Sequence, residues 1–78
     1  MLEEEKKVRE VLAGLLGRNE AEFEPNASLK DDFDVDSTEM VEIVTMMEKA
    51  FARPLGEGAE KKIHTVRDIY ALVGAGAR

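Results

Sequence analysis

The sequence contains no cysteine, which excludes a disulfide framework, a thiolate metal site and a cysteine nucleophile. It has one histidine, His64, so imidazole chemistry has a single candidate. No apolar run approaches membrane-spanning length, and the opening MLEEEKKVRE lacks the apolar segment of a secretory signal. The expected location is therefore cytoplasmic, with no membrane association. No alternating strand pattern, repeat or low-complexity block occurs. Seventy-eight residues make one domain, spanning 1–78, that buries roughly 60–65% of the surface of its unfolded chain. An apolar fraction of 44% suits a folded domain despite the high charge content.

Bases are scarce in the middle of the chain. Residues 20 to 48 hold ten acids (Glu20, Glu22, Glu24, Asp31, Asp32, Asp34, Asp36, Glu39, Glu42, Glu48) and one base, Lys30, a local charge of −9. The net charge is −6, so the remainder carries +3. This segment repels a phosphate backbone, which argues against nucleic-acid binding. A basic patch on a partner protein is attracted and oriented by it.

What is present is helical periodicity. Val8, Val11, Leu12, Leu15 and Leu16 recur at i, i+3, i+4, i+7 and i+8 and predict a helix over 3–16. Glu3, Glu4 and Glu5 suit the positive end of its dipole, and Gly17 supplies a left-handed stop. Residues 18 to 35 read as a long connection with a turn at Pro25-Asn26, pinned across the bundle by Phe23, Leu29 and Phe33. Residues 37 to 51 predict a second helix, with Met40, Ile43, Val44, Met47 and Phe51 on the core face. Thr38, Glu39, Glu42, Thr45, Met46 and Lys49 lie opposite. Met46 is an apolar residue off the stripe, either ordinary surface apolarity or a soft docking contact. Arg53-Pro54 ends this helix, and Gly56 and Gly58 keep any helix at 56–62 short. Thr65 as N-cap with Asp68 at N3 opens a last helix carrying Val66, Ile69, Tyr70 and Val73, followed by a frayed GAGAR tail. The expected fold is all-α, a small four-helix bundle of three main helices and one short one.

The chain is organised around DDFDVDSTEMVEIV, residues 31 to 44. Asp36 as N-cap and Glu39 at N3 have capping-box spacing, which puts Ser37 in the first turn of the second helix. Amides there are unsatisfied and the dipole favours negative charge, so an exposed hydroxyl at this point is a natural place to carry a phosphate group. Three other chemistries fail. Asp32, Asp34 and Asp36 match positions 1, 3 and 5 of an EF-hand, but Ser37 and Ile43 stand where Gly and Glu are required, so no metal ligands are assigned. A serine nucleophile needs a base and an oxyanion hole, and His64 lies in a surface link. The carboxylates lie in a solvated run that does not separate their pKa values for acid–base work. No catalytic residue is assigned; the chain reads as a non-enzyme.

From DDFDVDST onward the sequence resembles an acyl carrier protein. VREVLAGLLG, NASLKDDF, DSTEMVEIVTMMEKAF and EKKIHTVRDIYALV extend the resemblance over essentially the whole chain. It implies a covalent 4′-phosphopantetheine arm on Ser37, with Asp36 the acidic residue before it. It also implies that acyl groups are held as thioesters on the arm and sheltered by the bundle, in a chain expected to be a monomer. Thr38, Glu39, Glu42 and Met46 fall on the helix that partners grip. The implied partners are a phosphopantetheinyl transferase, and a ketosynthase, acyltransferase or acyl ligase with basic docking patches. Three positions depart from the family pattern. Thr38 replaces the usual Leu, Asp34 the usual Gly, and Gly58 thins the third helix. A specialised polyketide-type pathway thus stands beside fatty-acid synthesis. An aminoacyl or peptidyl carrier, or a plain acidic adaptor, remains as an alternative.

Overall fold

The computed structural model describes residues 2–74; residues 75–78 of the GAGAR tail lie outside the described residues. The helices are α1 (Leu2–Leu16), α2 (Leu29–Phe33), α3 (Ser37–Phe51), α4 (Ala59–Lys62) and α5 (Val66–Val73). A 3₁₀ turn at Glu20–Glu22 follows α1. α1 packs on α3 and α5, and α4 packs on α3.

The expected bundle forms, with two corrections. The connection over 18–35 is not simply a pinned loop, because it contains the 3₁₀ turn and the five-residue helix α2. Ser28 caps α2 by accepting from the Asp31 amide at 3.1 Å, while the Ser28 amide donates to Asp32 Oδ2 at 2.7 Å. The connection is also tied by backbone to the start of α5. The Leu29 amide donates to the His64 carbonyl, Val66 to Ala27, and Arg67 to Pro25, at 3.0, 3.2 and 2.9 Å. These bonds satisfy amides that an apolar periodicity cannot account for.

The core follows the stripes. Val8 and Leu12 of α1 are fully buried, while Val11, Leu15 and Leu16 pack at its margin. Met40, Ile43, Val44 and Met47 are buried on α3, with Phe51 half-buried. All four apolar stripe residues of α5 are buried. Phe23 and Phe33 stack at 4.5 Å between ring centroids, and Leu29 is fully buried beside them, so the three aromatic and aliphatic pins act as expected. Val35, Ala59 and Ile63 join the core as well. No polar side chain is buried among the described residues, so none carries an uncompensated desolvation cost.

Helix ends are set locally. Gly17, φ 68°, takes the left-handed conformation after α1. Thr65 and Asp68 form the expected capping box on α5: the Asp68 amide donates to Thr65 Oγ1 at 3.3 Å and the Thr65 amide to Asp68 Oδ2 at 3.0 Å. Gly58 corrects an expectation. It does not thin the helix from within but stands before it, as a left-handed N-cap of α4.

Candidate functional site

Ser37 is the first residue of α3 and is exposed. Its position is fixed by the residue before it. Asp36 is extended, and its carboxylate accepts from the Glu39 amide at 2.8 Å. The Glu39 carboxylate accepts in return from the Asp36 amide at 3.2 Å. This reciprocal box satisfies two amides at the helix start and holds the Ser37 backbone in register. The Asp36 carbonyl takes the first intrahelical bond, from Met40, at 2.9 Å.

The approach to Ser37 is set by Asp34, which ends α2 in left-handed backbone with φ 57°. The family pattern that the sequence resembles has glycine here, and a positive φ is a conformation that glycine suits. Asp is among the few other residues that visit this region at modest cost.

An open groove of about 700 Å³ runs from Ser37 between α2 and α4. Val35, Met40 and Ile63 give it apolar surface, and Lys30, Lys61 and His64 line it with Asp31, Asp36 and Glu60. On the other side of Ser37, Thr38, Met40, Val41, Glu60 and Lys61 line a shallower depression.

Thr38 and Glu42 are exposed on α3, while Glu39 is half-buried and engaged in the cap. Met46 is 40% exposed and therefore off the core, as its place on the wheel requires. Sequence reasoning passed over Val41, which is 49% exposed. The i, i+4 spacing from Ser37 was the available signal, since it puts Val41 on the serine's own side of the helix. Reasoning from sequence also missed Lys30, Lys61 and His64 as lining residues of the groove. Lys30 stood out only as the one base of an acidic segment, and Lys61 and His64 come to the same groove through the fold. Among the residues of the EF-hand-like spacing, Asp32 and Asp36 hold backbone amides instead.

Residues 6–73 match the sequence profile of the phosphopantetheine attachment site. The chain is 36% identical over 62 residues to the acyl carrier protein of Rubrobacter xylanophilus, covering 80% of this chain and 76% of that protein. The chain belongs to the phosphopantetheine-attachment family. The group such a domain carries is 4′-phosphopantetheine, held covalently. The residues present fit that group: an exposed hydroxyl in the first turn of a helix, where the dipole favours negative charge, suits an attached phosphodiester.

Proposed function

We propose that Ser37 bears the phosphopantetheine arm, and that the chain is an acyl carrier for fatty-acid or polyketide-type biosynthesis. The observation that carries this reading is the exposed Ser37 hydroxyl in the first turn of α3, held by the Asp36–Glu39 box at the mouth of a groove. The name of the Rubrobacter relative supports acyl cargo. The arm supplies a terminal thiol on which acyl groups are held as thioesters; this chain's own residues position the arm and present it.

Presentation falls to the exposed face of α3. Thr38, Glu42, Val41 and Met46 are open to a partner, and Glu39 is partly so. Their setting in a −9 segment favours basic docking patches on a phosphopantetheinyl transferase, a ketosynthase, an acyltransferase or an acyl ligase. Encounters steered by exposed charge are fast and short-lived, which suits a carrier that must also leave. Tethering raises the effective concentration of the cargo at each enzyme visited. The domain carries rather than catalyses.

Intact mass after incubation with a phosphopantetheinyl transferase and coenzyme A tests the reading. A carrier gains the mass of one arm. A plain acidic adaptor stays at its translated mass, and that result would overturn the proposal.

A further inference from the structure

The outward side of α3 does not carry one sign of charge. Its outermost line runs through Thr38, Thr45 and Lys49, with Glu42 beside it, opposite the buried Met40, Ile43, Val44 and Met47. Of the three carboxylates on this helix, two are engaged elsewhere. Glu39 is taken up in the cap with Asp36, and Glu48 accepts from the Leu55 amide past the helix end. Glu42 is left as the exposed acid of the face and Lys49 as its exposed base.

Lys49 has no acid to answer it along its own helix. At the places three and four residues away stand Thr45, Met46, Ala52 and Arg53, none of them a carboxylate. No ion pair joins Lys49 among the described residues. Lys7 and Arg53 lie over the Phe51 ring just beyond it, at 5.2 and 6.0 Å from the centroid, so bases gather at this end. Of these, Arg53 is answered by Glu4 of α1. Seven positions separate Glu42 from Lys49, which is about 10 Å at roughly 1.5 Å per residue. That exceeds the Debye length of about 8 Å at physiological salt, so each charge acts on what faces it. The surface flanking the two charges is apolar: Val41 is 49% exposed and Met46 40%. The Thr45 hydroxyl is spent within the helix, donating to the Val41 carbonyl at 3.0 Å.

We propose that Lys49 sets the polarity of the docking face, fitting the carrier to a partner enzyme with a cation opposite Glu42 and a carboxylate opposite Lys49, two helical turns further from the arm. The inference rests on the reading of Ser37 as the attachment residue and of α3 as the face presented to partners. A patch that is basic throughout attracts Glu42 and repels Lys49, so Lys49 turns such partners away. It is a specificity-determining residue that touches neither the arm nor the cap.

The experiment measures acyl transfer from the loaded carrier to a general fatty-acid ketosynthase whose docking patch is uniformly basic. Loading is first verified by intact mass, and the arm is located by peptide mapping. Lys49→Glu should speed transfer several-fold at low salt and Lys49→Gln by less, both gains fading as salt is raised. Arg67→Glu, the same charge change on α5, should leave the rate unchanged. Among single Lys→Glu and Arg→Glu variants of the ketosynthase patch, one should reverse the order and prefer the wild-type carrier over Lys49→Glu. A merely structural role for Lys49 cannot produce that reversal. An unchanged rate for Lys49→Glu, an equal gain in Arg67→Glu, or a preference that no patch variant reverses would overturn the inference alone. A chain that does not load, or an arm mapped to another residue, would overturn the carrier reading and this inference with it.

Discussion

Asp34 and Ala52 are the non-glycine residues with positive φ among those described, at 57° and 54°. Asp34 ends α2 at the turn into Ser37; Ala52 closes α3, with the Arg53 amide reaching back to the Glu48 carbonyl at 3.2 Å in a Schellman-type closure. The Glu48 carboxylate fixes the same reversal by accepting from the Leu55 amide at 2.9 Å. A left-handed alanine costs about 1–2 kcal/mol, whereas glycine there loses roughly 0.4–1 kcal/mol to its freer unfolded chain. Ala52→Gly is therefore expected to stabilise by about 0.5–1 kcal/mol. Gly14 has the opposite backbone logic. It lies inside α1, and a Cβ added there meets nothing within 4 Å, so Gly14→Ala should also stabilise, by roughly 0.5–1 kcal/mol. Thermal unfolding of the two variants checks both. Each midpoint should rise by a few degrees, at about 4–8 °C per kcal/mol in a domain of this size. A fall in either would show that φ does not decide these positions.

At the scale of elements, α3 and α5 start with the same device. The Asp68 carboxyl shows how it works. Burial pushes its pKa up, but hydrogen bonds from the His64 and Thr65 amides, the His64 charge and the Thr65 hydroxyl outweigh burial and hold it below the ordinary value of 3.8. A folded-state pKa below the unfolded one means stability that is fully present above the unfolded value and lost as pH falls through the folded value. The stability difference between wild type and Asp68→Asn should thus be constant at neutral pH and shrink once pH drops below 3.8. Urea denaturation across that range reads it, and a difference that grew on acidification would contradict the sign. Such caps were legible in the sequence because Asp36-Glu39 and Thr65-Asp68 are side-chain signals three residues apart. The helical stripes and the three pins of the connection were legible for the same reason of spacing. α2 was not. Its segment is held where the Leu29 amide donates to the His64 carbonyl and the Val66 and Arg67 amides donate to the Ala27 and Pro25 carbonyls, and by a left-handed Asp34, and none of these leaves a periodic mark. The lysines of the groove were hidden for another reason, since Lys30 and Lys61 are far apart in sequence and line one groove only through the packing of α4 on α3.

At the scale of the molecule, the proposed function assigns recognition to one side of the charge distribution and attachment to one hydroxyl. Glu42 is exposed in the −9 segment, so Glu42→Lys should slow association with a basic partner several-fold at low salt, the effect fading as salt is raised. With the arm on Ser37 as proposed, Thr38→Leu adds an apolar side chain beside it. It should act mainly on dissociation and strengthen use by a general fatty-acid ketosynthase by about one order of magnitude. Acyl-transfer rates for equally loaded variants separate the two; an unchanged rate for Thr38→Leu would mean that charge alone governs recognition and that Thr38 marks no dedicated pathway. The central claim needs a simpler measurement. Ser37 is exposed at the helix start, whereas Ser28 caps α2 through its own hydroxyl. Intact mass of Ser37→Ala and Ser28→Ala, each treated with transferase and coenzyme A, tests the claim most directly. The account predicts an arm on Ser28→Ala and none on Ser37→Ala; a full mass gain in Ser37→Ala would contradict it.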